Sequence, residues 1–329
     1  MSFPEFEGHH RYNRETLVGE LPVESLRIPK ATTIPVQMES PKQGRSGHPI
    51  NTVESMPLKE TIVSADCLVV DAGHTRVKFV ACQRNESGGL PEIVASCAVL
   101  YGTPIDWTRI AGWFSLNALK SVLVMGTDSQ RVQQVVADWS PLLPAPTLFT
   151  DKKRLPLKVD VDFPERVGID RLLNAVAANI LRAPDQPTIT VGAGTAVTVD
   201  LIDATGTFRG GAILPGILLG AKSLHTETTT LPHVNVWELL KQAPSVIGKN
   251  TDAAIASGLY WGHLGAIREL VTRLREHVKN DSSVEPLLLL TGGAAGIVAP
   301  DLTGSQLIDE LPIRGLAAVA EQVVEQIKS

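Results

Sequence analysis

From Cys67 onward, short apolar runs alternate with segments of helical spacing. The run CLVVDAG (67–73) predicts a buried strand that stops at a glycine turn. RVKFVAC (76–82) predicts a second strand, joined to the first as a hairpin by a tight polar turn, and EIVASCAVL (92–100) a third. A helix is expected over WTRIAGWFSLNAL (107–119), a strand over SVLVMGT (121–127), a helix over QRVQQVVADW (130–139) and a short strand over TLFT (147–150). GIDRLLNAVAANILRA (168–183) is a strong amphipathic helix, with Leu172, Ala175, Val176, Asn179 and Ile180 near one face.

The second half repeats the plan. TITVGAGTAVTVDLID (188–203) reads as strand, glycine turn, strand, and TFRGGAILPG (207–216) continues the sheet. Helices follow at about 216–227 and 251–278, then a buried strand LLLLTGG (287–293) and a closing helix over 316–329. Each half therefore opens on a hairpin with an acidic or glycine-rich tip, DAGHT at 71–75 and GAGT at 192–195, about 120 residues apart. This weak repeat predicts an α/β fold of two related lobes, 65–186 and 187–329, with a cleft between them.

Residues 1–64 follow neither period. They hold seven of the 22 prolines and scattered charges of both signs, which predicts a mostly disordered extension. The chain has 329 residues, enough for about two domains at roughly 150 residues each. Its 43% apolar and 20% charged residues are ordinary for a folded soluble protein. Thirty Lys and Arg against 35 Asp and Glu give a net charge of −5, which argues against nucleic acid as the main ligand. No apolar run reaches the roughly 18 residues of a membrane span, and the first residues lack an apolar signal core. The expected location is therefore cytoplasmic. Three cysteines without paired spacing make neither a disulfide framework nor a zinc site; Cys67, Cys82 and Cys97 fall in predicted strands and are expected to be buried and inert.

Three segments carry candidate chemistry. DAGHTRVK (71–78) brings a carboxylate, a flexible glycine, a hydroxyl and a lysine together at a hairpin. Its exposed N–H groups suit phosphate oxygens, Asp71 a metal–phosphate complex and Lys78 phosphate charge. By itself the same segment also reads as a structural turn. PERVGIDRLLNA (164–175) puts Asp170 and Arg171 in the first turn of a helix, where the dipole favours anions. Asp170 reads either as a stabilising N-terminal carboxylate or as a general base beside an anion-binding arginine. GAGTAVTVD (192–200) with FRGGAILPG (208–216) repeats the hairpin chemistry at Gly194 and Thr195. Neither a P-loop nor a G-x-G-x-x-G motif after the first strand occurs. TETTTLP (226–232) offers hydroxyls to a polar substrate or merely ends a helix, and His225, His233 and His263 lack metal-ligand spacing.

In order, DAGHTRVK, PERVGIDR, GAGTAVTVD with GGAILPG, TTTLP, IGKNTDAAIASGLYWG (247–262) and TGG (291–293) resemble the type III pantothenate kinase family, within the actin/hexokinase-like ATPase superfamily. The resemblance runs from about residue 67 to the C-terminus and implies two RNase H-like, actin-like lobes with a nucleotide cleft between them. It implies transfer of the γ-phosphoryl of ATP to the terminal hydroxyl of pantothenate, giving 4′-phosphopantothenate at the entry to coenzyme A. Asp71, Ala72, Gly73, His74, Thr75, Arg76, Val77 and Lys78 would bind ATP, with Thr195 on the second phosphate loop. Gly168, Ile169, Asp170 and Arg171 would line the pantothenate site, Asp170 as general base and Arg171 facing the carboxylate. Thr228 aligns with a substrate-binding threonine near a homodimer interface. The implied cofactors are ATP, Mg²⁺ held indirectly through Asp71, and a monovalent cation such as K⁺ or NH₄⁺. Three positions depart from the family pattern: His74 replaces Asn, Val161 replaces an aromatic, and Gly192 replaces the Asp that helps hold the monovalent cation. The resemblance also admits a non-catalytic regulatory relative, of the kind named as transcriptional accessory factors, or a kinase for another small hydroxyl substrate.

Overall fold

The computed structural model describes residues 65–328 apart from 74–75, 116–117, 127, 237, 240 and 280–282. The expected disordered extension, 1–64, lies outside the described residues. The first half forms β1 (Cys67–Ala72), β2 (Arg76–Gln83), β3 (Glu92–Leu100), α1 (Trp107–Ala111), β4 (Ser121–Met125), α2 (Ser129–Ala137), β5 (Thr147–Leu148) and α3 (Ile169–Leu181). The second half forms β6 (Thr188–Ala193), β7 (Ala196–Ile202), β8 (Phe208–Pro215), α4 (Ile217–Thr226), α5 (Thr251–Lys279), β9 (Leu287–Thr291), α6 (Ala295–Val298), β10 (Ser305–Leu307), α7 (Leu311–Ala318) and α8 (Ala320–Lys328).

The strands make two five-stranded sheets, ordered β3-β2-β1-β4-β5 and β10-β9-β6-β7-β8. In the first, β1, β2 and β3 are antiparallel, whereas β4 joins β1 and β5 joins β4 in parallel. The second repeats this with β6, β7 and β8 antiparallel and β9 and β10 added in parallel. The duplicated order is that of two related α/β units, as the repeated hairpins predicted. It also makes Gly192 on β6 the counterpart of Asp71 on β1.

Burial explains the near-continuous apolar central strands, which are covered on both faces. On the outer face of the first sheet, Leu68, Val70 and Phe79 pack with Ile110 of α1 and with Val132 and Val135 of α2. The outer face of the second sheet packs Val191, Val199 and Leu290 with Leu264, Ile267 and Val271 of α5. Between the sheets lies a shared core: Val69 and Val80 from the first, Phe208 and Leu289 from the second, with Leu172 and Leu173 of α3, Leu316 of α7 and Val323 of α8. The amphipathic reading of α3 was therefore too narrow, because Leu173, Asn174, Ala177 and Ala178 are buried as well.

Other boundaries differ from expectation. The helix expected at 107–119 ends at Ala111, with Gly112 at its C-cap. The closing helix begins earlier, at Leu311 with Pro312 in its first turn, and breaks at Val319 into α7 and α8. Strand β10 and helix α6 are three and four residues long, too short for a period to register.

The α3–α7 contact is close enough to need a glycine. A Cβ on Gly315 would lie 2.4 Å from the Leu173 carbonyl oxygen. Gly315→Ala gains about 1 kcal/mol of helix propensity. Forcing apart two backbones costs about 1–3 kcal/mol. Because the obstacle is main chain and cannot rotate away, a net loss is expected, read as a lowered Tm; a raised Tm would show that the helices separate freely.

Candidate active site

The two hairpins are built alike. The loop after β4 rests on the first: a Cβ on Gly126 would meet the Ala72 carbonyl oxygen at 2.6 Å. The loop after β9 rests on the second: Gly292, at φ 97°, would place a Cβ 2.6 Å from the Ala193 oxygen. Only glycine permits that approach with a left-handed backbone. The first hairpin is further held by the Tyr101 hydroxyl, which donates to the Gly73 carbonyl at 3.0 Å. The Arg131 guanidinium stacks on that ring at 4.2 Å. At the second hairpin, Gly216 N–H donates to the Thr195 carbonyl at 2.9 Å, which sets the N-terminus of α4 against the tip.

Helix α3 brings the charged groups. Lys152 Nζ donates to the carbonyls of Glu165 and Val167 and steadies the segment that enters the helix. Val167 and Ile169 are buried in the shared core, which leaves Asp170 exposed in the first turn. Arg171 turns toward the second sheet, where Nε donates to both Asp200 carboxylate oxygens at 3.1 Å and Nη2 to Oδ1. The Asp200 side chain has 0% exposure and that of Arg171 12%. The guanidinium also lies over the Phe208 ring, 5.5 Å from its centroid. Among the described residues Nη1 has no hydrogen-bond partner, so it is the free edge of this arginine.

On the first sheet, Asp71 faces Lys78 across the β1–β2 ladder. The Lys78 ammonium is nonetheless held by Glu310, Nζ to Oε1 at 2.6 Å. Glu310 is the N-cap of α7 and stands at φ 51°, ψ 37°, a left-handed conformation that costs a non-glycine residue about 1–2 kcal/mol. Its carboxylate makes no cap bond to its own helix. Instead the α7 terminus is fixed by Leu311 N–H donating to Thr291 Oγ1 at 3.3 Å.

Burial pushes the Asp71 carboxyl above the ordinary carboxylate range; Lys78 opposes this, and the nearby Glu310 and Asp170 add to it. Burial likewise pushes Asp200 up, the bond to Arg171 opposes it, and Asp170 again adds to it. Asp170 thus acts on a carboxylate of each sheet. Asp71, Lys78, Glu310, Asp170, Arg171 and Asp200 form one charged cluster at the meeting of α3, α7 and both sheets.

The remaining sequence candidates divide. Ala72 and Val77 are core residues, so only their backbone can face a ligand, while Arg76 and Thr195 are exposed. His74 and Thr75 lie outside the described residues. Thr228 is not gathered into the cluster. It sits beyond the far end of α4, about 15 Å of helix from Thr195, and its hydroxyl donates to the Leu224 carbonyl at 2.6 Å. Among the described residues, two small cavities lie elsewhere, one against Cys67 and Glu321 and one between Val77 and Tyr101. At about 10 and 30 Å³ they hold little more than a water each. Cys67 and Cys82 are buried, and burial pushes Cys82 up to about 12, which makes it unreactive; Cys97 is half-buried.

Residues 67–273, more than half of the chain, match the type III pantothenate kinase family. The chain belongs to that family. The type III pantothenate kinase of Chlorobaculum tepidum is 30% identical over 80% of this chain and 85% of its own. That of Zymomonas mobilis is 29% identical over 78% and 92%. That of Rhodospirillum centenum is 36% identical over 51% of this chain, a match that spans 63% of the relative. Among solved structures, the activator of the 2-hydroxyisocaproyl-CoA dehydratase from Clostridium difficile is 17% identical, with a TM-score of 0.40 over 80% of this chain and 97% of that one.

For a type III pantothenate kinase the two implied ions fare differently. Mg²⁺ typically uses one or two protein carboxylates together with substrate phosphates, and Asp71, half-buried beside the first hairpin, fits that need. The monovalent cation finds no carboxylate at Gly192; the oxygens left nearby are neutral, Thr198 Oγ1 and the buried Asn174 Oδ1, which has no hydrogen-bond partner among the described residues. A Cβ on Gly192 would face Thr198 Oγ1 at 2.9 Å and the Asn174 amide nitrogen, a donor, at 3.5 Å. Asp200, the neighbouring carboxylate that could replace the missing one, is bound by Arg171. Three residues of the site carried no such role in the sequence: Tyr101 on the first hairpin, and in the cluster Asp200 as the Arg171 partner and Glu310. Each is defined by a contact between residues 28 or more positions apart.

The raised Asp71 carboxyl has a stability consequence. The native state binds this proton more tightly than the unfolded chain, so the penalty is full above the folded value, fades as pH falls from there, and is gone below about 4, the ordinary carboxylate value. Asp71→Asn should therefore raise Tm at pH 7–8, with the gain shrinking toward pH 4. A gain independent of pH would show that charge burial is not its source.

Proposed function

We propose that this protein transfers the terminal phosphoryl group of ATP to the primary hydroxyl of pantothenate, forming 4′-phosphopantothenate for coenzyme A synthesis. The observation that carries this reading is Asp170, exposed in the first turn of α3 and adjacent in the chain to Arg171, whose guanidinium is held by the buried Asp200. Phosphoryl transfer requires alignment and charge neutralisation more than covalent work by the protein. The exposed backbone of the two hairpins suits the phosphates of ATP, which would lie in a cleft between lobes divided near residue 186. Mg²⁺, bound with ATP beside Asp71, would neutralise phosphate charge. Asp170 accepts the proton of the attacking hydroxyl, and the free Nη1 edge of Arg171 receives the pantothenate carboxylate while Asp200 holds its other edge. Gly168 and Ile169 contribute backbone to that pocket.

The same reading makes the protein a cytoplasmic homodimer. The exposed Ile213 on β8 and Leu218 and Leu219 on α4 supply an apolar surface for a second copy, which would bring Thr228 toward the substrate. Among the described residues no helix is long and apolar enough to cross a membrane. Gly192 favours a second reading, a regulatory relative that binds ligands without turnover, because it removes a carboxylate from the second hairpin. Val161, half-buried against the shared core, favours a kinase for a different small alcohol.

Mass spectrometry of the purified protein with Mg·ATP and pantothenate separates these readings: phosphopantothenate supports the first, and a folded protein without product excludes it. Asp170→Asn should lower kcat by about 10²–10⁴-fold while Mg·ATP still binds, as expected for loss of a general base; normal turnover would remove Asp170 from that role. Activation by K⁺ over Na⁺ at equal ionic strength should be weak or altered, because Gly192 supplies no anionic donor. Strong activation by K⁺ would reveal a cation site built from other residues.

A further inference from the structure

Lys78 stands between two carboxylates. Asp71 is its cross-strand neighbour on β1, yet the ammonium lies on Glu310, 232 positions away. Among the described residues Asp71 has no ion-pair partner within 4 Å. Glu310 makes this contact from a left-handed backbone, at φ 51°. Of the described non-glycine residues just one other, Asp185, has a positive φ, and aspartate tolerates that conformation better than glutamate does. Glu310 gains nothing locally for its conformation, since its side chain does not cap α7. A strained backbone whose side chain serves no local purpose points to a role at the site it faces.

We propose that Glu310 is a positioning residue: it holds the Lys78 ammonium off the facing Asp71 carboxylate and so keeps Asp71 open to a metal–nucleotide complex. This rests on the kinase reading for its ligand but not for its geometry. Without Glu310, the lysine has one neighbouring carboxylate left across the ladder. It closes on Asp71 and competes there with the incoming complex. The pair also ties the arm of the first hairpin to the segment leaving the second sheet, because residues 308–311 hang from β9 through Ile308 N–H to Leu290 and Leu311 N–H to Thr291.

The test is calorimetric binding of Mg·ADP to the full chain, with Tm measured without nucleotide. Glu310→Gln should weaken Mg·ADP about tenfold without lowering Tm. Glu310→Gly, which suits the left-handed backbone, should weaken binding equally while holding or raising Tm. The Lys78→Met/Glu310→Gln pair should bind as Lys78→Met alone does, the non-additivity expected of residues that act through one another. Wild-type affinity in Glu310→Gln, losses that multiply in the double variant, or losses that follow Tm would each overturn the proposal. A wild-type chain that binds Mg·ADP but makes no phosphopantothenate, with Glu310 still governing affinity, overturns the kinase reading and supports this one. A folded wild-type chain that binds no Mg·ADP overturns both.

Discussion

An ionised carboxylate with no exposed surface needs compensation for its lost hydration, and Arg171 supplies it for Asp200. That one pairing constrains much of the rest. It fixes the first turn of α3 against β7, and so decides where the adjacent Asp170 stands. Removing one partner of a buried pair typically costs about 3–5 kcal/mol, because the other charge is left uncompensated. The contact between α3 and the second sheet is therefore maintained by electrostatics at one end and by the packing of Leu172, Leu173 and Ala177 along the rest. Apolar contact alone would tolerate small slides of the helix. A bidentate ion pair, with Phe208 beneath the guanidinium, does not.

The duplicated sheets carry unequal chemistry. Asp71 and Gly192 occupy equivalent strand ends, but one hairpin is charged and the other neutral. Around Asp71 gather Lys78, Glu310 and Asp170. Around Gly192 stand Thr198 and Asn174, both buried and uncharged. The second hairpin keeps its scaffold, with Gly292 and Gly216 closing on it as Gly126 closes on the first. Scaffold and charge have thus separated: geometry is retained on both sides, and ionic chemistry is concentrated on one.

Much of this was legible in the sequence. The central strands are buried on both faces and read as apolar runs, and the hairpins read as runs divided by glycine turns. Asp71, Asp170 and Arg171 were found because they lie beside glycines at turns or helix starts, where local pattern and chemistry coincide. Glu310 was not, because it sits next to a helix whose start is marked only by Pro312 and whose partner is a lysine two hundred residues earlier. Asp200 was legible only as a carboxylate that could stand in for the one missing at Gly192; its pairing with Arg171, across two elements, was not. Tyr101 follows an edge strand, and only the folded chain shows its hydroxyl on Gly73. Long-range polar contacts leave no period, so they remain invisible until tertiary structure assembles them.

Helices α7 and α8 come last in the chain yet pack on the first sheet as well as on α3, sharing one core with Val69, Val80 and Cys82. During synthesis, the strands from Cys67 to Leu148 emerge well before the segment that covers their inner face. Until α7 and α8 leave the ribosome, that face is only partly covered. Closing it is a late, non-local event of the kind that slows folding and exposes intermediates to aggregation. Helices α7 and α8 therefore serve as the closing step of the first sheet, and a chain lacking them would be incompletely folded in both halves.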